Sequence, residues 1–221
     1  MAAKKTSTKR AAPPVGAKRV PAKAKRAPAK ATRTPAQATR APARAERAPA
    51  GPNDGPWAAV FAPRAKGERR YWLVKSEPEA FAWDDLMALP DRTTHWDGVR
   101  NHAARNFLRD GMRHGDLVFF YHSSADPSAI VGICEVVHEA YPDHTAFDPA
   151  HAGFDADSSP AKPTWYMVDL RAVESLASPV TLAMIKRAKA LAQMALLRVG
   201  RLSVTPVTAA EWKAVLGLAR G

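Results

Sequence analysis

The sequence has few of the features that stabilise secreted and membrane proteins. Cys134 is the only cysteine among 221 residues, which excludes an intrachain disulfide and a cysteine-rich zinc site. No apolar run approaches the ~20 residues that a membrane-spanning helix needs. The N-terminus also lacks the apolar core of a secretory signal. We therefore expect a cytoplasmic, nucleoid or nuclear protein that is neither secreted nor bound to a membrane.

The common catalytic and cofactor-binding motifs are also missing. The seven histidines form no HExxH or HxxxH pair. The chain contains no GxSxG, GxxxxGK[ST] or GxGxxG pattern, so no nucleophile elbow or phosphate-binding loop is indicated. We accordingly predict no metal, no cofactor and no catalytic residue.

The net charge of +12 lies entirely in the N-terminal quarter of the chain. Residues 1–56 hold 14 Lys or Arg and two acids, whereas residues 57–221 hold 19 bases and 19 acids. The high pI of about 10.1 therefore reflects the N-terminal segment. By net charge alone, the remainder is not a basic nucleic-acid-binding domain.

The N-terminal segment repeats with a period of seven residues. Prolines recur every seventh residue from Pro14 to Pro56, in units such as APAKATR and APARAER. Proline in each unit opposes a helix, and the few large apolar residues cannot offset the entropy lost on ordering. We predict a disordered basic tail over residues 1–67, a linker over 57–70 and a folded domain over 68–221.

Two functions of this tail remain open. A polycationic arm would bind nucleic-acid phosphates and release counterions without recognising sequence. A plain linker or solubilising segment would bind nothing, and acidic partners other than nucleic acid also fit. We favour the phosphate-binding arm.

Strands and helices alternate irregularly in the domain. Gly132 indicates a bulge, and Pro206 indicates that the last strand lies at an edge or bends there, while Asn101 and the Thr208–Glu211 pair are helix-capping residues. Strands are predicted at 71–75, 116–124, 129–141, 164–176 and 201–208. Helices are predicted at 76–89, 102–110, 181–191, 192–197 and 208–217.

The pattern of strand 116–124 indicates how the sheet is covered. Leu117, Phe119 and Tyr121 face one side, and Val118, Phe120 and His122 face the other. A strand that is apolar on both faces needs packing on both. Without regular βαβ alternation, we predict an α+β domain, a small mixed β-barrel with flanking helices, rather than a Rossmann fold.

The segment THWDGVRNHAARN, residues 94–106, combines an aromatic residue with polar neighbours. Trp96 lies beside an Asp-Gly turn, Arg100 and Asn101, directly before a predicted helix. A Trp can stack on a base, a contribution of about 1–3 kcal/mol, while Asn101 or the nearby backbone binds the base edge. The ordinary alternative for any single Trp is a place in the core. Arg100, Arg105 and Arg109 fit phosphate contacts and a salt-bridged helix face about equally well.

Six motifs in succession resemble those of the EVE domain family. They are YWLVKSEP, WDGVRNHAARN, GDLVFFYHS, IVGICEVV, KPTWYMVDL and ALAQMALLRVGRLSVTPVT, and they cover residues 71–217. The resemblance implies a PUA-like fold and a non-catalytic domain that holds a modified DNA or RNA base in an aromatic pocket. It gives no role to the loop over 142–163.

The resemblance also implies which residues form the pocket. They are Lys75, Ser76, Glu77, Trp96, Arg100, Asn101, Tyr121, His122, Ser123, Leu202, Ser203 and Val204. We expect a monomer whose partner is nucleic acid, bound at a modified base by the pocket and at phosphates by the tail.

Two other classes of function remain open. A nucleotide- or base-processing hydrolase would use Glu77 or His122 as a general base. A protein-interaction module would use the basic tail to bind acidic proteins, and it would not distinguish modified from plain oligonucleotides.

Overall fold

The computed structural model describes residues 55–221, which form an α+β domain around one six-stranded sheet. The predicted tail lies outside the described residues up to position 54. The sheet order is β2-β5-β4-β3-β1-β6, with β1 and β3 parallel and the other pairs antiparallel. The strands are β1 (Tyr71–Ser76), β2 (Thr93–His95), β3 (Leu117–His122), β4 (Ala129–Pro142), β5 (Tyr166–Thr181) and β6 (Val204–Val207).

The five predicted strands are confirmed, and a short sixth strand precedes Trp96. This sixth strand, β2, pairs with β5 at one edge of the sheet. At the opposite edge, β6 contains Pro206, as the sequence predicts for a residue without a backbone N–H. The expected PUA-like α+β fold is thereby confirmed in its mixed sheet.

Two apolar clusters cover the two faces of the sheet. Val118 and Phe120 belong to the first cluster with Trp72 and Trp96, whereas Phe119 belongs to the second. This is the alternation predicted for β3, since successive side chains of a strand point to opposite faces.

Five α-helices and several shorter turns surround the sheet. The helices are α1 (Trp83–Ala88), α2 (His102–Asn106), α3 (Leu182–Arg187), α4 (Ala195–Arg198) and α5 (Ala209–Ala219). Helix α2 continues as a π-turn over Phe107–Gly111, and 3₁₀ turns occupy Ala58–Phe61, His144–Phe147 and Lys189–Leu191. No helix within residues 55–221 is long and apolar enough to cross a membrane.

The predicted caps are confirmed, but the first helix begins later than predicted. Asn101 Oδ1 accepts from the backbone N–H groups of the first turn of α2, and Thr208 and Glu211 cap each other's backbone at α5. Helix α1 begins at Trp83 rather than at 76, because the Asp85 carboxylate accepts from Ala82 N–H and fixes the start of the helix there.

The predicted bulge at Gly132 has a packing cause. The register of β4 shifts between Ile130 and Gly132 against β5. A Cβ on Gly132 would lie 2.4 Å from the ring of Trp83. Glycine therefore allows the Trp83 indole to lie directly on the backbone of β4.

The linker predicted over 57–70 is wrong, because this segment packs on the domain. Trp57 and Phe61 contact Phe107, the Phe61 ring stacking on it at a centroid distance of 5.7 Å. Arg64 forms a two-pronged ion pair with the buried Asp116 carboxylate, with N–O distances of 2.5 and 2.7 Å. The packed part of the chain thus begins before the predicted boundary at 68.

The strand order brings distant motifs to one end of the sheet, where β1 and β3 finish. Because β1 and β3 are parallel neighbours, their carboxyl ends, Ser76 and His122, lie side by side. Strand β6 is antiparallel to β1, so its first residue lies at the same end of the sheet, and Lys75 N–H donates to Ser203 O at 2.9 Å. The region beyond the carboxyl ends of parallel strands is where ligands bind in many α/β sheets.

Candidate functional site

A cavity of about 740 Å³ opens at the end of the sheet where β1 and β3 finish. That volume is within the range of small-ligand pockets and exceeds what a single base requires. Ten of the twelve predicted pocket residues line it: Lys75, Ser76, Glu77, Trp96, Arg100, Asn101, Tyr121, Ser123, Leu202 and Ser203. That any of them contacts a base stays a prediction.

The other two predicted residues, His122 and Val204, do not line the cavity. His122 Nε2 accepts from the backbone N–H of Trp83 at 3.0 Å, which anchors the start of α1, and burial lowers the pKa of its imidazole. Val204 is fully buried in the first core cluster. His122 follows the lining residue Tyr121 within β3, where adjacent residues point to opposite faces, and Val204 is the first residue of β6, directly after the lining residue Ser203.

Two aromatic residues form part of the cavity wall, and both are nearly buried. Trp96 is 2% exposed and packs edge-on against Phe120 with ring centroids 5.6 Å apart. Trp96 is thus a core residue that also borders the cavity, which limits the ring surface open to a ligand. Burial raises the pKa of Tyr121, partly countered by its hydrogen bond with Ser128, so its phenol stays protonated near neutral pH.

Polar groups from β1 and the loop after β3 line another part of the cavity. Burial lowers the pKa of Lys75, whose ammonium donates to Gly200 O at 3.1 Å. Ser76 Oγ donates to Phe81 O at 2.6 Å, and Ser76 O accepts from Ser123 N–H at 2.8 Å. Glu77 Oε1 accepts from the Ser124 hydroxyl at 3.0 Å. These bonds hold the ends of β1 and β3 in a fixed arrangement.

Arg100 is engaged within the protein. Its guanidinium donates to Asp143 Oδ2 at 2.6 Å, to Gly153 O at 2.7 Å and to Thr145 Oγ1 at 3.1 Å. It also lies over the Trp165 ring at 5.5 Å. The alternative of a salt-bridged arginine is therefore the observed one, and Arg100 fixes the loop over 142–163 to the loop after β2.

Asp143 is the buried centre of this arrangement. It is 0% exposed and also accepts from Gly98 N–H at 3.0 Å and from Thr145 N–H at 2.9 Å. Burial opposes its ionisation, but hydrogen bonds from Thr145 and Arg100 outweigh this and hold its pKa below the usual value.

The other two arginines of the 94–106 segment and its helix are also bound internally. Arg105 donates to Asn106 Oδ1 at 2.7 Å and to Thr164 O at 3.1 Å. Arg109 forms a two-pronged ion pair with Asp110, both distances being 2.8 Å. Phosphate contacts by these side chains would require these bonds to be exchanged.

Lining residues from the loop over 142–163 and from the C-terminal part of the domain were not predicted from the sequence. Ala152 and Gly153 reach the cavity because Arg100 holds that loop. The Asp97–Val99 turn and neighbouring small residues also line the cavity. The residues missed are Ala80, Asp97, Gly98, Val99, Ser124, Ser128, Ala152, Gly153, Leu182, Leu196, Gly200 and Arg201. Asp143, at the start of that loop, is an acid that could form an ion pair, but nothing near it in the sequence identifies Arg100 as its partner.

Across residues 55–221, no cluster of three His, Cys, Asp or Glu side chains is arranged to hold a metal ion. The site is a cavity with aromatic and polar walls at one end of a PUA-like sheet, which is the architecture of a ligand-binding domain. The chain belongs to the EVE domain family, whose model matches residues 70–218.

Relatives of this family are similar over the same part of the chain. Thymocyte nuclear protein 1 of Danio rerio is 43% identical over 164 residues, covering 66% of this chain and 71% of that protein. The Homo sapiens protein of the same name is 41% identical over 165 residues, covering 67% and 73%.

Solved structures share the fold. A hypothetical protein from Leishmania major has a TM-score of 0.67 and 43% identity, covering 71% of this chain and 98% of that one. The human THYN1 protein, in complex with 5-methylcytosine-containing DNA, has a TM-score of 0.66 and 40% identity, covering 69% and 98%.

Proposed function

We propose that this protein is a non-catalytic nucleic-acid-binding protein whose cavity holds one modified base. The observation that carries the proposal is the cavity, because ten residues of four separate motifs line it, from the ends of β1 and β3, the segment after β2 and the turn before β6. The 5-methylcytosine-containing DNA bound by the human relative supports the same class of ligand. We take 5-methylcytosine as the first base to test.

Trp96 and Tyr121 form the aromatic part of the binding surface in this proposal. The polar side chains around them provide donors and acceptors for the base edge, including the Ser203 hydroxyl and the amide N–H groups of Asn101, whose Oδ1 caps α2. Because Arg100 is held by Asp143 and Gly153, it shapes the pocket rather than contacting phosphate. The base must leave its stack to enter, at a cost of a few kcal/mol.

The experiment compares the binding of the full chain to duplexes that differ in one central base. One duplex carries 5-methylcytosine, others carry hydroxymethylated cytosine or methylated adenine, and a reference carries plain cytosine. We expect tighter binding to one modified duplex than to the reference. Equal affinity for all of them would contradict the proposal and favour a protein-interaction module.

A pair of matched variants tests the role of Trp96. Trp96→Phe keeps an apolar ring but changes the cavity wall, so it should reduce discrimination between modified and plain duplexes. Trp83→Phe is the control, because Trp83 is also a buried indole of the same cluster, 5% exposed, and does not line the cavity. Equal discrimination in both variants would remove Trp96 from the binding surface.

A non-catalytic role predicts that the bound base is recovered unchanged. His122 is not available as a general base at the cavity, since its Nε2 accepts from Trp83 N–H. Glu77 does line the cavity. Turnover of a modified nucleoside that is abolished by Glu77→Gln would replace this proposal with the hydrolase.

A further inference from the structure

One stretch of the domain contains basic residues and no acidic residue. Between Glu174 and Glu211 the sequence contains five bases and not one Asp or Glu, although residues 57–221 balance overall. The five bases are Lys186, Arg187, Lys189, Arg198 and Arg201. The acids that balance the domain therefore lie elsewhere along the chain, and this stretch is locally cationic.

These five basic side chains differ from several arginines of the domain in having no polar partner within residues 55–221. All five residues are exposed, and none of their side chains forms a hydrogen bond or an ion pair with any residue from 55 to 221. Six other arginines are ion-paired with Asp or Glu: Arg64, Arg70, Arg100, Arg109, Arg113 and Arg171. The charge of the stretch is thus not neutralised within the domain.

The stretch is anchored on the second apolar cluster. Ile185 of α3, Leu191 of the 3₁₀ turn and Leu196 of α4 are buried in this cluster. Thr181 Oγ1 accepts from Met184 N–H at 3.2 Å and caps α3. Four of the five basic residues, all except Arg201, are therefore carried by packed helical turns, which lowers the entropy lost when they bind a partner.

The same stretch forms one side of the cavity. Leu182, Leu196 and Arg201 line it, and the ammonium of Lys75 donates to Gly200 O on the same side. The basic side chains without polar partners are therefore on the elements that border the pocket proposed for the nucleobase. A nucleotide held in the cavity has a phosphate on each side of its sugar, and these phosphates must leave along the surface around the cavity.

We propose that the 186–201 surface binds the sugar-phosphate backbone that flanks the base in the cavity. This inference rests on the proposed function, and it adds a second phosphate-binding surface to the predicted tail. Phosphates are the partner that fits, because cationic side chains that no acid of residues 55–221 pairs with release condensed counterions when they meet a polyanion. A domain with no net charge thereby contributes its own salt-dependent affinity.

The test compares two four-charge variants of the full chain. The surface variant is K186Q/R187Q/K189Q/R198Q, which leaves the cavity residue Arg201 in place. The control variant is K66Q/R69Q/K213Q/R220Q, which removes four exposed basic side chains that also lack side-chain hydrogen bonds within residues 55–221. Affinity for duplexes with and without a central 5-methylcytosine is measured over a series of salt concentrations, and melting curves verify that both variants fold.

The surface variant should bind more weakly and with a shallower salt dependence. On a duplex, each lost phosphate contact lowers the log–log slope by about 0.9, so the loss of two to four contacts lowers it by roughly 2–4. The control should change the slope by less than about 1. An unchanged slope in the surface variant, or an equal change in both variants, would overturn the inference.

The two duplexes separate this inference from the function on which it rests. If the wild-type chain does not distinguish them, 5-methylcytosine is not the base that the pocket selects, while the slope comparison still reports on the phosphate surface. If the wild-type chain distinguishes them but the two variants have the same slope, only the phosphate surface is wrong.

Discussion

Arg100 and Asp143 join the two loops that border the cavity, with 2.6 Å between the guanidinium Nη1 and the carboxylate Oδ2. Arg100 belongs to the segment after β2, and Asp143 directly follows β4. The carboxylate is fully buried, while the arginine side chain is 23% exposed. The pair therefore fixes the shape of one side of the cavity from a largely buried position.

Breaking this pair should destabilise the protein strongly. Arg100→Gln leaves the buried Asp143 carboxylate without its cation, and the loss of one partner of a buried pair costs about 3–5 kcal/mol. Because Arg100 is partly exposed, we expect the lower end of that range. Urea unfolding of the wild type and the variant measures the difference.

Arg171→Gln is the matched control for this substitution. Arg171 pairs with Glu135 at 3.0 Å, but its side chain is 53% exposed, and exposed pairs contribute about 0–1 kcal/mol. A loss for Arg100→Gln that does not exceed that of Arg171→Gln would contradict the structural role of the Arg100–Asp143 pair.

Asp143 should also make stability depend on acidity. Its pKa in the folded protein is below that of an unfolded aspartate, which is about 3.9. Its contribution is therefore complete above the unfolded value and is lost as the pH falls through the lower folded value. The free energy of unfolding of the wild type and Asp143→Asn, measured from pH 6 down to pH 2, should differ constantly near neutrality and converge below about pH 4. A difference that widens in acid would contradict the assignment.

Gly132→Ala should destabilise the protein although alanine is a small residue. The added Cβ would lie 2.4 Å from the Trp83 ring, which is buried and hydrogen-bonded to Ser175, so the cost is about 1–3 kcal/mol or more. Gly217→Ala is the control, because nothing lies within 4 Å of its Cβ in helix α5. There we expect stabilisation by about 0.5–1 kcal/mol. Thermal melting of both variants tests the opposite signs.

Removal of residues 1–54 tests the phosphate-binding role predicted for the tail. We expect a shallower salt dependence of duplex binding and an unchanged melting temperature, because the packed residues Trp57 and Phe61 are retained. Removal of residues 1–62 should lower the melting temperature as well, since their contacts with Phe107 are lost. If the shorter deletion leaves the salt dependence unchanged, the tail does not contact phosphates.

Local signals in the sequence were sufficient for much of the fold. The Asn101 cap, the Thr208–Glu211 capping pair and the edge position of Pro206 each depend on residues within a few positions of one another. The bulge at Gly132 was also visible, although its cause, the Trp83 ring, lies about fifty residues away in the sequence. The loop over 142–163 offered no such signal, because Arg100 binds Asp143 and Gly153 across 43 and 53 residues.

Two kinds of error in the candidate site have physical causes. Motifs transferred as continuous runs include strand neighbours that point to opposite faces, which is why Tyr121 lines the cavity and His122 does not. The linker prediction failed because Trp57 and Phe61 lie among prolines and charges. Their packing partner, Phe107, is distant in the sequence.

The pairing of β1 with β6 joins the beginning of the domain to its end. Leu202 and Ser203 directly precede β6, and they form part of the cavity wall. During synthesis on the ribosome, β1 to β5 are therefore made before Leu202 and Ser203 complete the cavity wall. The ability to capture a ligand should thus arise late in the synthesis of the chain, and a prematurely terminated product should lack it.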